Sequence, residues 1–67
     1  MRRIVIRNQS SVELGVMLEP STEREDVEAG GTLTLTGDFA EDEIMIDFAD
    51  ENFLSIWSPT RCTMSKL

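Results

Sequence analysis

The sequence predicts an all-β fold, a small antiparallel sandwich or rolled sheet of five to six strands built from sequential hairpins. Apolar and polar residues alternate with period two in several short segments, which is typical of strands with one buried and one solvated face. Clusters of Gly, Pro, Asn, Asp and Ser separate these segments and predict short turns between them. The 67 residues are 40% apolar, which is enough for one small core, so we expect a single domain over residues 1–67.

Two strands are predicted at the start of the chain. Arg3–Arg7 contains three β-branched residues in succession, which suits a strand that is buried on both faces or lies at a seam. A polar turn, Asn8–Ser11, separates it from the clearest alternation in the chain, Val12–Glu19. The outer face of this second strand carries Glu13, Met17 and Glu19. We expect the two strands to pair directly as a first hairpin.

The middle and the end of the chain alternate less regularly. Pro20 ends the second strand because proline cannot donate a hydrogen bond to a ladder. Residues 21–31 offer only Val27 for burial, so we expect a long acidic loop there. Thr32–Thr36 alternates again and predicts a short strand. Residues 60–67 alternate weakly and form either an edge strand or a tail.

The segment Asp38–Trp57 is expected to organise the rest of the chain. Two apolar runs, Glu43–Phe48 and Phe53–Trp57, flank a turn-forming tetrapeptide that contains Asp and Asn. In the first run every second residue is apolar, and the intervening positions are Glu43, Met45 and Asp47. We expect a β-hairpin whose aliphatic side chains point inward and whose carboxylates lie on the outer face.

Charge is unevenly distributed along the chain. Thirteen acidic residues oppose six basic ones, for a net charge of −7. All thirteen acids lie between Glu13 and Glu51, where Arg24 is the one base, so this span carries −13 + 1 = −12. Such a surface repels nucleic acid and anionic membranes and attracts basic proteins. We therefore expect a basic protein surface as the partner, with no direct nucleic-acid partner and no membrane. The alternative is that the charge serves solubility alone.

Several kinds of catalytic chemistry lack their usual residues. The chain has no histidine and no tyrosine, which removes the commonest general base and the commonest neutral metal ligand. We therefore expect no enzymatic activity, no cofactor and no metal site, and we expect Cys62 to be a small hydrophobic residue in the last strand. A weak calcium-binding module is one alternative, because carboxylates are hard oxygen ligands. The candidate ligands are Asp38, Glu41, Asp42 and Asp47, or Asp50 and Glu51.

The single cysteine and the absence of long apolar runs bear on the compartment. One cysteine cannot form an internal disulfide, and a small chain with a free thiol fits a reducing environment. The first apolar run is three residues long, too short for the core of a signal peptide. No run approaches the ~20 residues of a membrane-spanning helix. We expect a cytoplasmic protein.

The predicted outer faces of the strands supply a candidate binding surface. Residues on one face of a strand are about 6.7 Å apart, so Glu41, Glu43 and Asp47 would form a row of carboxylates that also includes Met45. Such a row resembles the phosphates of a nucleic-acid strand and suits a groove lined by Lys and Arg. The predicted partner-binding residues are Glu13, Met17, Glu19, Glu41, Glu43, Met45, Asp47, Asp50 and Glu51. The alternative is a solvated face whose methionines are incidental or covered by residues 21–31.

A second functional class is a structural or self-assembling domain. Either terminal strand, Arg2–Arg7 or Arg61–Leu67, would expose an edge that can pair with another copy. A homodimer through such an edge is therefore possible. The basic ends of the chain would then meet the acidic middle of a neighbour.

The strand and turn punctuation resembles a group of short uncharacterised bacterial β-rich proteins. The matching residues are Ile4-Val5-Ile6-Arg7-Asn8-Gln9-Ser10, Leu18-Glu19-Pro20, Ala29-Gly30-Gly31 and Ile56-Trp57. Many members have Trp-Gly after Glu-Pro, where this chain has Ser21-Thr22. The resemblance spans nearly the whole chain and implies a β-rich fold with no activity.

In length, acidity and lack of catalytic residues, the chain is also similar in kind to phage-encoded inhibitors. The nearest kind is the anti-CRISPR proteins that mimic nucleic acid. This similarity implies an inhibitor that occupies a basic groove on another protein. It transfers no functional residue to this sequence.

Overall fold

The computed structural model describes residues 1–66, and within them the chain is all-β, with seven strands and no helix. The strands are β1 (Arg2–Arg7), β2 (Leu14–Glu19), β3 (Glu23–Val27), β4 (Thr32–Gly37), β5 (Met45–Asp50), β6 (Phe53–Trp57) and β7 (Cys62–Lys66). They form a three-stranded sheet in the order β1-β4-β7 and a four-stranded sheet in the order β3-β2-β6-β5. The expectation of an all-β fold is confirmed, with one strand more than the upper expected number.

The pairing is not wholly antiparallel, which corrects one expectation. The two central strands of the larger sheet, β2 and β6, run parallel, with Gly15–Glu19 beside Phe53–Trp57. Every other strand pair is antiparallel. The parallel pair joins two segments that are far apart in the sequence, and local alternation carries no information about such a pairing.

The predicted first hairpin is wrong, because β1 and β2 belong to different sheets. β1 pairs with β4, and β2 pairs with β3 and β6. Asn8 begins the connection from β1 to β2, and its side chain is buried. Its Nδ2 donates to the carbonyl oxygens of Val12 at 2.8 Å and Val27 at 2.9 Å. The backbone of Asn8 also bonds Gly30 and Gly31. Asn8 therefore ties the segment after β1 to the turn before β4, and the chain then enters β2 in the other sheet.

The predicted acidic loop over residues 21–31 contains a strand, β3, and that expectation is corrected. β3 is an edge strand whose backbone pairs with β2. Val27 is its one buried residue, and Glu25 is half-buried. An edge strand needs few apolar side chains, because its backbone hydrogen bonds to one neighbour hold it in the sheet. The preceding turn includes a cis peptide between Glu19 and Pro20.

The hairpin expected at the centre of the chain is present, as β5 and β6. β5 begins at Met45, two residues after the predicted start, because Glu43 belongs to a turn in which its Oε1 accepts a hydrogen bond from Ala40 N at 2.5 Å. A bulge between Phe48 and Asp50 interrupts the register near the hairpin turn. The expected edge strand at the end of the chain is also present, as β7. Leu67 lies outside the described residues.

The buried core draws on both sheets. Its residues are Val16, Leu18, Val27, Leu33, Leu35, Phe39, Leu54, Ile56 and Cys62. β5 contributes none of them, and all six of its residues are exposed. Phe48 lies opposite buried Leu54 yet keeps 83% of its surface exposed, so the expectation that the apolar residues of this strand point into a core is wrong for Phe48. β5 is an edge strand and packs chiefly against β6.

Candidate functional site

The charges of the strands are separated by sheet. The strands of the three-stranded sheet contain Arg2, Arg3, Arg7 and Lys66 and no acidic residue, for a charge of +4. Those of the four-stranded sheet contain Glu19, Glu23, Glu25, Asp26, Asp47 and Asp50 with Arg24, for −6 + 1 = −5. The acidic middle and basic ends of the sequence therefore become an acidic sheet and a basic sheet.

One face of the four-stranded sheet points away from the core. Val16 and Leu18 on β2 and Leu54 and Ile56 on β6 are buried, so the alternate residues of these strands point outward. Residues paired across strands share a face. Three outward rows follow from the register: Asp26-Gly15-Phe53-Asp50, Arg24-Met17-Ser55-Asp47, and Glu19-Trp57-Met45. We call the side chains of these rows the acidic face.

The acidic face has apolar side chains at its centre and carboxylates around them. Phe53 and Met17 lie half-buried on the two central strands, and Trp57 is 43% exposed beside them. The carboxylates occupy the two edge strands and the end of β2: Asp26, Asp47, Asp50 and Glu19. With Arg24 the face carries −4 + 1 = −3. An apolar centre with a charged rim is the usual arrangement of a protein-binding surface.

Contacts within the face hold part of it in place. Arg24 pairs with Asp26 at 3.1 Å, and its guanidinium carbon lies 5.2 Å from the ring centroid of Phe53, in cation–π range. Gly15 makes this contact possible, because a Cβ at that position would lie 2.8 Å from both Arg24 and Phe53. On the next row the Ser55 hydroxyl donates to Glu19 Oε2 at 2.9 Å. The half of the face near β3 is therefore internally paired.

The half near β5 is more open. Asp47 makes no hydrogen bond or ion pair to the side chains of residues 1–66, and Asp50 accepts one bond, from the Glu51 amide at 2.8 Å. Met45 is exposed opposite Trp57. These two carboxylates and two apolar side chains keep their surfaces available to a partner.

The structure brings together five of the nine predicted partner-binding residues. Met17, Glu19, Met45, Asp47 and Asp50 all lie on the acidic face. Glu51 lies beside it in the hairpin turn, where it lines a shallow depression with Arg24 and Asp50.

The other three predicted residues lie outside the strands, which corrects the predicted rows. Glu41 and Glu43 are in the turn before β5, so they do not continue the row from Asp47. Glu43 is half-buried and bonded within its own turn. Glu13 precedes β2 and lines a different depression, together with Lys66. The reason is the same in each case: the strands are shorter than the alternation that predicted them.

Five residues of the face were missed by sequence reasoning: Arg24, Asp26, Phe53, Ser55 and Trp57. The first two fell in the segment predicted to be a loop. For the other three the sequence contains a signal. Period-two alternation divides the run Phe53–Trp57 into one set with Phe53, Ser55 and Trp57 and another set with Leu54 and Ile56. The set that contains a polar residue is the one that faces solvent.

The arrangement of the carboxylates and of Cys62 bears on metal binding and on cysteine chemistry. Within residues 1–66, no three side chains of Asp, Glu, Cys or His come close enough together to hold a metal ion. The four-residue candidate set, Asp38, Glu41, Asp42 and Asp47, is therefore not assembled as a metal site. Cys62 is buried in the core, as expected, and its thiol donates to Ser58 Oγ at 3.2 Å.

No protein-family model, curated protein sequence or solved structure matches this chain. The described part of the chain also contains no helix that is long and apolar enough to cross a membrane.

Proposed function

We propose that this chain is a non-enzymatic binding domain whose acidic face docks onto a basic surface of another protein. One observation carries the proposal. Carboxylates on both edge strands and at the end of β2 flank apolar side chains, of which Trp57 and Met45 are exposed, on a single face of one sheet. Aromatic residues and methionine are enriched at the centres of protein interfaces.

The two kinds of side chain have separate roles in this proposal. Trp57, Met45 and Met17 supply apolar area that leaves water on binding, and tryptophan is a common source of affinity in protein interfaces. The carboxylates, together with the net charge of −7, speed the encounter with a basic partner and set the orientation of docking. Charges at a rim act mainly on the association rate, so binding should weaken as salt rises.

The most specific form of the proposal is an inhibitor of the anti-CRISPR kind that imitates nucleic acid. Its support is that four carboxylates, those of Glu19, Asp26, Asp47 and Asp50, lie on strands and project from one face of a single sheet. Carboxylates held in this way can pair with Lys and Arg side chains that otherwise contact phosphates, and they release counterions as a nucleic acid does. The partner is then a nucleic-acid-binding protein.

The experiment compares two variants with matched changes. The face variant combines Glu19→Lys with Trp57→Ala, both on the central strands. The control variant combines Glu28→Lys with Val12→Ala, which changes the charge equally and removes a hydrophobic side chain of similar exposure, 47% against 43%. Each protein is immobilised and exposed to the same lysate at about 50 mM and about 500 mM salt, a range over which exposed charges become screened.

We expect the wild type and the control to retain the same basic proteins at low salt, and the face variant to lose them. A retained nucleic-acid-binding protein should lose its nucleic acid when the wild type is added, and keep it when the face variant is added. Equal retention by both variants, or retention unaffected by salt, would remove the proposal.

A further inference from the structure

Four strands, β1, β3, β5 and β7, lie at sheet edges in the described part of the chain, and the side chains of two of them, β1 and β5, complement one another. β5 is the free edge of the four-stranded sheet, and β1 is a free edge of the three-stranded sheet. On β5, Ile46 and Phe48 share a face with the core residues of β6 but are exposed, while Asp47 points to the other face. An exposed apolar edge strand is a ready site for the addition of another strand.

The edge of β1 has the same alternation with the opposite charge. Ile4 and Ile6 point toward the core and are half-buried. Arg3, Val5 and Arg7 point outward with the threonines of β4, and Val5 is 62% exposed. Both edges therefore present apolar residues on the core side of their sheets, with charged residues among those on the outer side.

The charges of β1 and β5 favour pairing of one with the other over pairing of either strand with its own copy. β1 carries three arginines and no acid, and β5 carries two aspartates and no base. Two β1 strands would bring together 3 + 3 = 6 guanidinium groups, and two β5 strands 2 + 2 = 4 carboxylates. Like charges across a strand pair are destabilising, whereas opposite charges stabilise it. The pairing of β1 with β5 is the combination that brings opposite charges together.

We propose that this chain self-associates head to tail, with β1 of one copy adding as an antiparallel strand to β5 of the next. With Ile4 opposite Phe48 and Ile6 opposite Ile46, the apolar faces of the two edges become continuous. Val5 then lies opposite Asp47. Arg3 and Arg7 are the two diagonal neighbours of Asp47 across the strand pair, about 7–8 Å from it, which is within reach of long side chains. The inference goes beyond the docking of the acidic face and does not depend on it.

The geometry of this contact determines the kind of assembly. The two surfaces are different, so the contact is heterologous and builds either a ring or an open chain. Each copy keeps the central strands of its acidic face uncovered. The net charge of −7 opposes the approach of two copies in general, so a stable contact needs local pairing of opposite charges such as that between β1 and β5.

The test exchanges the charges of the two edges. One variant carries Arg3→Glu and Arg7→Glu, a second carries Asp47→Lys and Asp50→Lys, and a third carries all four changes. Sedimentation velocity over a range of protein concentrations measures self-association, and circular dichroism checks that each variant is folded. The wild type should associate, each double variant should raise the dissociation constant by more than about tenfold, which is 1.4 kcal/mol, and the quadruple variant should restore association.

Hydrogen exchange supplies a second measurement that does not require any variant. In the wild type, the backbone amides on the unpaired sides of β1 and β5 should become protected from exchange as protein concentration rises. The corresponding amides of the other two edge strands, β3 and β7, should not. A wild type that stays monomeric at all concentrations overturns the proposal. A quadruple variant that folds but does not associate also overturns it, as does concentration-dependent protection at β3 or β7 alone.

Discussion

Asn8 lies where the chain leaves β1 for the other sheet, and its side chain is 4% exposed. Its amide nitrogen donates to carbonyl oxygens on both sides of the crossing, and its Oδ1 accepts from the Ser10 amide and hydroxyl. Buried polar groups of this kind are costly to leave unpaired. The stability of the connection between the two sheets therefore depends strongly on one residue.

We expect Asn8→Ala to lower the free energy of unfolding by about 3 kcal/mol, because it removes three hydrogen bonds to the carbonyl oxygens of Val12, Val27 and Glu28, of which the bond to Val27 is buried. Urea denaturation followed by tryptophan fluorescence measures the change. The neighbouring exposed residue supplies the control, since Gln9→Ala should cost less than about 0.5 kcal/mol. Equal effects of the two substitutions would contradict the role given to Asn8.

The burial of Asn8 could not have been predicted from its neighbours in the sequence. The composition of residues 8–11 correctly indicates a turn, since Asn and Ser favour turns. The bonds that bury Asn8 reach Val27, nineteen positions away, and the backbone of Gly30 and Gly31. A pattern read over a short window contains no information about such partners.

At the scale of single elements, β5 shows how far alternation can be interpreted. The sequence correctly predicts a strand and a hairpin here, and it correctly places Ile46 and Phe48 on one face of the strand. It does not predict that this face is uncovered at the edge of the sheet. Alternation assigns side chains to faces, whereas burial depends on what the rest of the chain places above each face.

The two paired residues of this hairpin should therefore respond differently to truncation. Leu54 is 5% exposed, and Leu54→Ala should cost about 2–5 kcal/mol. Phe48 is 83% exposed, and Phe48→Thr, which keeps strand propensity, should cost less than about 1 kcal/mol. Urea denaturation at low protein concentration measures both, and a loss for Phe48→Thr as large as that for Leu54→Ala would contradict the assignment of β5 as an uncovered edge.

β3 is a strand that the sequence pattern did not predict. One buried residue, Val27, left the segment without a recognisable apolar pattern, yet its backbone pairs with β2 over five positions. Backbone hydrogen bonds to a neighbouring strand are independent of side-chain type, so an edge strand can form from a sequence that resembles a loop. Two members of the acidic face, Arg24 and Asp26, were missed for this reason.

At the scale of the whole molecule, the order of the strands converts a pattern of charge along the chain into a difference between two sheets. The basic ends form β1 and β7, on either side of the uncharged β4, and the acidic middle forms most of the other sheet. The separation of charge was visible in the sequence. Its arrangement as a face was not, because the face depends on β2 and β6 lying side by side.

The parallel pairing of β2 with β6 is the central claim, because it brings Glu19 and Met17 next to Trp57 and Ser55. Nuclear Overhauser contacts between the backbones of these two strands test it most directly. In the parallel register we expect cross-strand contacts of Met17 with Ser55 and of Gly15 with Phe53. Contacts of β2 with β1, in the antiparallel register of a sequential hairpin, would contradict the parallel pairing. The residues assigned to the acidic face would then not lie together.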